Sequence, residues 1–162
     1  MTADTAARGS VADDHSSRIV VGVDGSPSSV ETLRWAGHLA GPLRCGIDAV
    51  CAWQIPMSYS MAAGMDDDSE IETLKVIDRA AGDAFGDHLP NDLRSHVRQG
   101  HPAQVLLKFS ADTHADMLIV GSRGHGGFVG MLLGSTSAYC VEHARCAVLV
   151  VHGNSGRDGS PR

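Results

Sequence analysis

The sequence predicts an α/β fold with a mostly parallel sheet and helices on both of its faces. Short apolar segments alternate five times with longer segments whose apolar residues recur every three or four positions. Such alternation is typical of parallel sheets, because each strand needs a helical crossover to reach the next. The 162 residues, 43% hydrophobic and 20% charged, suffice for one sizeable core. We therefore expect one domain over residues 18–152, between disordered tails at 1–17 and 153–162.

The first half of the chain predicts two strands joined by a helix. A β-branched run at 19–23 is the first strand. Ser26 as N-cap and Pro27 at the first helical position then start a helix, which the Gly-Pro pair at 41–42 is expected to end. The second strand is predicted at 46–53.

The second half continues the alternation. The segment 54–68 is predicted to be a long loop or a mobile lid, and a helix is predicted over 69–89. The third strand, 93–99, alternates apolar and polar residues and therefore belongs at a sheet edge. A helix over 102–113 and a short apolar strand at 117–120 follow.

Glycine is concentrated between positions 121 and 134, where six of the chain's nineteen glycines fall. Because glycine loses the most entropy on ordering, such a loop is favoured where backbone N–H groups approach a ligand closely. Ser135, Thr136 and Ser137 then supply N-cap chemistry for a helix that runs to about Arg145. A helix N-terminus attracts anions, so this segment predicts a phosphate site. The last strand is predicted at 147–151.

Two common phosphate-binding loops do not fit this segment. A dinucleotide fingerprint needs a third glycine where Val129 stands, and a Walker A loop needs Gly-Lys before Ser or Thr. The chain's only lysines, Lys75 and Lys108, lie in other segments. His125 lies in the loop without a nucleophile or orienting carboxylate beside it, so no catalytic residue is predicted.

The remaining pattern, G-x2-G-x9-G-S over residues 121–135, resembles the ATP-binding branch of the universal stress protein family. The resemblance extends from the segment 18–26 through 97–102 to 146–151. It implies a three-layer sandwich whose five strands have the order 3-2-1-4-5. In that order the chain reverses direction between the first and fourth strands, and ligands bind outside the carboxyl ends of the strands at such a reversal.

The predicted site combines the glycine loop with the ends of several strands. Arg123, the only Arg or Lys between positions 121 and 134, is expected near a triphosphate. Asp24 either caps the following helix or lies within reach of a ribose hydroxyl or of a phosphate-bound metal. By resemblance, Ala52 borders the adenine, and backbone groups of the first and fourth strands line the pocket. The full set of expected cofactor-binding residues is Gly22, Val23, Asp24, Ala52, Val120, Gly121, Arg123, Gly124, Gly134, Ser135, Thr136 and Ser137.

These residues predict a regulatory protein that binds ATP together with Mg²⁺ or Mn²⁺. The resemblance implies that it acts in a stress or growth-arrest response. One alternative is an enzyme that cleaves ATP, as related adenine-nucleotide hydrolases do, although the short turn at 24–26 lacks their serine-glycine-rich loop. Another alternative is a cAMP-binding protein, whose single phosphate would leave much of the loop unused.

Charge and hydropathy limit the expected partners. The formal charge of −6 disfavours a nucleic-acid surface, and no apolar run is long enough to cross a bilayer. We therefore expect a cytoplasmic protein. The resemblance also implies a homodimer formed through the strand 147–151, an uncharged strand that is predicted at a sheet edge.

Overall fold

The computed structural model describes residues 17–54, 66–124 and 133–153. The predictions made for the tails at 1–16 and 154–162, for the loop over 55–65 and for His125 lie outside these residues.

Strand and helix alternate along the described chain as predicted. The elements are β1 (Arg18–Gly22), α1 (Pro27–Leu43), β2 (Gly46–Trp53), α2 (Asp66–Phe85), β3 (Leu93–Gln99), α3 (Pro102–Asp112), β4 (Met117–Gly121), α4 (Ser135–His143) and β5 (Ala147–Val151). Among these helices, none is both long enough and apolar enough to cross a membrane.

The five strands form one sheet in the order β3-β2-β1-β4-β5, which confirms the predicted order. All four neighbouring pairs are parallel. In the register at the centre of the sheet, Val20 of β1 lies opposite Asp48 of β2 and Leu118 of β4. β3 lies at one edge, as its polar face predicted, and β5 lies at the other.

Apolar side chains pack on both faces of the sheet, which gives the predicted three layers. One core cluster includes Leu33 of α1 and Ile77 of α2, both fully buried against one face. The other includes Leu106 of α3 and Cys140 of α4 against the opposite face. The central strands β1, β2 and β4 are therefore largely buried between these layers, as their apolar runs predicted.

Several helix ends differ from the predictions. α1 continues through Pro42 to Leu43 and ends where Arg44 takes a left-handed conformation with φ 54°. α2 begins at Asp66 and ends at Phe85, because Gly86 has a φ of 58° that is typical of a helix C-terminus. α4 ends at His143, two residues before Arg145.

A buried ion-pair cluster that the sequence analysis did not predict lies at the amino ends of the strands. Arg18 Nε and Nη2 donate to the two carboxylate oxygens of Asp48, each at 2.7 Å. Arg18 Nη1 donates to Asp92 at 2.5 Å, and His96 Nε2 lies 2.8 Å from Asp48 Oδ1. Gly46 leaves the space for this arrangement, because a Cβ there would overlap the Arg18 guanidinium. We call these residues the Arg18 cluster.

Charge pairing, rather than exposure, keeps Arg18 and Asp48 ionised. Burial alone would raise the pKa of Asp48, but hydrogen bonds from Arg18 and His96 outweigh burial and leave that pKa below its ordinary value. The bond to Asp48 in turn raises the pKa of Arg18. The cluster therefore ties β1, β2 and β3 together at the end of the sheet opposite the carboxyl ends of the strands.

Candidate functional site

A cavity of about 470 Å³ opens at the carboxyl ends of β1, β2 and β4. It lies where the strand order reverses, the position at which doubly wound sheets bind their ligands. All twelve residues that the sequence predicted for the site line this cavity. Residues from the turn after β1 and from the ends of the glycine loop, about 100 positions apart in the sequence, thus meet in one place.

Six lining residues were not predicted. They are Ser26, Ser29, Val50, Pro102, Leu106 and Leu133. Val50 could have been found from Ala52, because residues two apart in a strand face the same side. Ser26 and Ser29 could have been found from Asp24, because they come soon after it in the sequence.

One side of the cavity is apolar. Val50 and Ala52 of β2, Val120 of β4, and Pro102 and Leu106 at the start of α3 contribute it. Leu106 packs closely at the end of β1, because a Cβ at Gly22 would lie 3.0 Å from its Cδ1. A flat apolar group, such as a base, is the chemistry that this wall can accept.

The N-terminus of α4 forms a polar side of the cavity. Gly134 is the N-cap residue, with φ −69° and ψ 160°, and no side chain caps the helix. The N–H groups of Ser135, Thr136 and Ser137 therefore form a first turn without intrahelical acceptors, beside the cavity that these residues line. This arrangement can bind an anion.

The predicted capping role of these hydroxyl residues is wrong. Ser135, Thr136 and Ser137 are the first three residues of the helix, and Gly134 precedes them as the cap. The Ser137 hydroxyl donates instead to the carbonyl oxygen of Gly121, at the end of β4.

Asp24 stabilises the turn after β1 and does not cap α1. Its Oδ1 accepts the Ser26 N–H at 2.9 Å, while Ser26 Oγ accepts the Ser29 N–H at 3.2 Å and is therefore the cap, as predicted. The other Asp24 oxygen points to Gly124, where a Cβ would lie 2.5 Å from it. The first β-to-α turn and the glycine loop are thus in direct contact.

Gly124 and Gly134 differ in the space that the protein leaves for a side chain. Neither has a left-handed φ, so backbone strain is not the reason. At Gly124 a side chain would meet Asp24, whereas at Gly134 a Cβ would lie 3.5 Å from Ser122 O, an ordinary contact. A side chain at Gly124 therefore requires Asp24 or the loop to move, whereas one at Gly134 does not.

Among the described residues, Arg123 and Asp24 are the two charged ones that line the cavity. Both side chains are exposed. Within the described part of the chain, Arg123 makes no ion pair with a carboxylate. Its guanidinium is therefore available to an anionic ligand.

The chain matches one protein family and several curated relatives of that family. The sequence profile of the Universal stress protein family matches residues 15–152. A universal stress protein of Mycolicibacterium smegmatis is 27% identical over 162 residues, which cover 88% of this chain and 54% of the relative. One of Mycobacterium tuberculosis is 33% identical over 163 residues, which cover 88% of this chain and 55% of the relative. The chain thus spans about half the length of these curated relatives.

Solved structures share the fold. A universal stress protein in complex with cAMP is 25% identical and has a TM-score of 0.63, covering 85% of this chain and 98% of that one. A universal stress protein from Lactobacillus plantarum is 18% identical with a TM-score of 0.70, covering 83% and 97%. Because the family profile covers all nine helices and strands of the described residues, the chain belongs to the universal stress protein family.

Proposed function

We propose that this protein binds an adenine nucleotide, with ATP as the preferred ligand, and acts as a regulatory protein in a stress or growth-arrest response. The observation that carries the proposal is the cavity itself. Its apolar wall suits a base, and its polar side presents the uncapped first turn of α4 together with Arg123. A nucleotide has the same two chemically different ends. The solved relative in complex with cAMP, at 25% identity, supports the same ligand class.

ATP is preferred over cAMP because of its charge. The first turn of α4 and the Arg123 guanidinium both attract negative charge, and a triphosphate carries more of it than the single phosphate of cAMP. The cAMP complex of the relative nevertheless makes cAMP the second candidate. Calorimetric titration with ATP, ADP, AMP and cAMP separates them: affinity that rises with phosphate number supports ATP, and tightest binding of cAMP contradicts it.

Gly134→Ala tests the phosphate side of the cavity without disturbing the protein. The added Cβ meets protein atoms only at 3.5 Å or more, so the free energy of unfolding should change little. We expect ATP affinity to fall at least about tenfold, because the methyl group lies at the N-terminus that the phosphates approach. Unchanged affinity in the folded variant would place the phosphates elsewhere.

A divalent ion, Mg²⁺ or Mn²⁺, would be held mainly by the phosphates. Asp24 is the carboxylate that lines the cavity, and in the described part of the chain no group of three His, Cys, Asp or Glu side chains could hold a metal. Magnesium commonly binds with one or two carboxylates, substrate phosphates and water, which fits this composition.

We further propose that bound ATP turns over slowly or not at all. The donors on the polar side would hold ground-state triphosphate about as well as a transition state, and equal binding of both gives affinity without rate. Release of phosphate and pyrophosphate should be measured beside Asp24→Ala, which should mainly weaken binding. A turnover of about one per second or faster, within the usual enzyme range, that disappears in the variant at unchanged affinity would favour the ATP-cleaving enzyme.

The proposed assembly is a homodimer through β5. This strand, Ala147–Val151, lies at a sheet edge and carries neither charge nor proline. Such an edge presents unpaired backbone groups to another chain. A second copy can satisfy them by pairing along the same strand.

A further inference from the structure

Hydrogen bonds hold the two ends of the glycine loop together. Gly134 N–H donates to Ser122 O at 2.7 Å. Ser137 Oγ donates to Gly121 O, across 16 positions of sequence. Ser122 N–H in turn donates to Val151 O at 2.7 Å, at the end of β5. The loop therefore begins and ends on one fixed stem.

Ser137 contributes the side-chain bond of this stem. It is 4% exposed and lies in the first turn of α4, so its N–H belongs to the uncapped turn while its hydroxyl is engaged by Gly121. Ser28 of α1 occupies the other side of Gly121, where it fills the space that a Cβ would need. Gly121 is thus held between two buried serines.

We propose that Ser137 is a positioning residue, which fixes the N-terminus of α4 against the end of β4 so that phosphates meet a preformed first turn of α4. The inference rests on the proposed nucleotide site and goes beyond it, because the hydroxyl acts through Gly121 and does not contact the ligand. Without this bond, the Gly134–Ser122 hydrogen bond still ties the first turn of α4 to the end of β4, but the two separate more readily. The ligand must then order them as it binds, which lowers affinity.

The test compares Ser137→Ala with Ser110→Ala. Ser110 is a matched control: it is 6% exposed in α3, its hydroxyl has no hydrogen-bond partner within the described residues, and it does not line the cavity. Calorimetry is run with ATP and with adenosine, which lacks phosphates. We expect Ser137→Ala to weaken ATP about fivefold, the effect of one net hydrogen bond on an equilibrium constant, and to leave adenosine unchanged. Ser110→Ala should alter neither affinity.

Hydrogen exchange of the ligand-free protein supplies a second readout. The Gly134 amide, which bonds to Ser122 O, should exchange faster in Ser137→Ala and at the wild-type rate in Ser110→Ala. Wild-type exchange together with wild-type ATP affinity in Ser137→Ala would overturn the positioning role. So would an equal loss of ATP and adenosine, because that result indicates general loosening. A wild type that binds neither ligand would overturn the proposed function, and this inference with it.

Discussion

Gly124→Ala tests the contact between the two turns that form the cavity. The added Cβ would lie 2.5 Å from Asp24 Oδ2, so one of the two groups must move by roughly 1 Å to reach ordinary van der Waals distance. The Asp24 carboxylate is restrained, because its Oδ1 accepts the Ser26 N–H at 2.9 Å. The substitution therefore displaces the loop, or it breaks the Asp24–Ser26 bond.

Both consequences can be given a magnitude. Loss of the Asp24–Ser26 bond should lower the free energy of unfolding by about 1 kcal/mol, the net contribution of one hydrogen bond. Displacement of the loop moves Arg123 and the ligand-facing backbone away from the phosphates. We expect ATP affinity to fall about tenfold or more, which corresponds to ~1.4 kcal/mol. Gly124→Val should abolish ATP binding.

The assay is urea unfolding and ATP calorimetry on the wild type, Gly124→Ala, Asp24→Ala and the double variant. Removing the carboxylate removes the clash, so in the Asp24→Ala background the added methyl should cost little stability. The cycle should therefore give a coupling of about 1 kcal/mol. Gly82→Ala in α2 is the control, because its Cβ meets nothing within 4 Å and should leave ATP affinity unchanged.

Two results would refute this reasoning. An equal loss of stability from Gly124→Ala in both backgrounds would show that the glycine does not meet Asp24. Full ATP affinity in the folded Gly124→Ala variant would remove the glycine loop from the site.

Three other predictions concern the rest of the molecule. Asp48→Asn should lower the free energy of unfolding by about 3 kcal/mol at pH 7, because it leaves buried Arg18 without its main charged partner. Urea unfolding measures this loss, and a loss under about 1 kcal/mol would indicate that solvent weakens the pair. The folded-state pKa of Asp48 lies below its ordinary value of 3.8. Its contribution to the free energy of unfolding is therefore present above pH 3.8 and is lost as the pH falls through the lowered pKa. Sedimentation should show a homodimer at micromolar concentration, which Ala147→Lys should dissociate by charging β5; a monomeric wild type would count against pairing. Burial raises the pKa of Cys51 and Cys140 to about 11. Iodoacetamide at pH 8 should therefore modify these two thiols more slowly than the half-buried Cys45 and Cys146. Equal rates, measured by peptide mass spectrometry, would contradict that burial.

The strands were predictable because burial on both faces demands continuous apolar runs. The predictions at 46–53 and 147–151 agree with β2 and β5 in full. The strand order was not predictable from such runs, since every central strand has the same pattern, and it came from the family resemblance.

The helix ends were predicted less well because glycine and proline act through the conformation they adopt. Pro42 was expected to stop α1, but in the last turn it costs one backbone bond, and the Arg44 N–H closes the helix on Ala40 and Gly41. Gly86 lies inside the helix predicted over 69–89, yet its positive φ ends α2. Sequence shows these residues but not their dihedral angles.

The candidate site was predictable where the residue types in a turn themselves indicate ligand binding. Asp24 and the glycine loop are such signals, and both line the cavity. Pro102 and Leu106 carry no comparable signal, because an apolar helix residue looks the same whether it faces the core or a cavity. The Arg18 cluster was missed for another reason: Asp48 and Asp92 lie 30 and 74 positions from Arg18, and only the fold brings them together.

The two edges of the sheet differ in charge, and this difference determines which assemblies are open to the protein. Pairing of β5 with β5 of a second copy is a two-fold contact, which uses the same surface twice and leaves no strand edge of that kind exposed. Pairing of β5 with β3 of another copy would leave a free β5 at one end and a free β3 at the other, so copies could add without limit. The exposed Arg94 and Arg98 on β3 disfavour that contact, because their charges would have to be brought against an uncharged strand. The polar face that places β3 at the sheet edge therefore also protects the protein from growing into a filament.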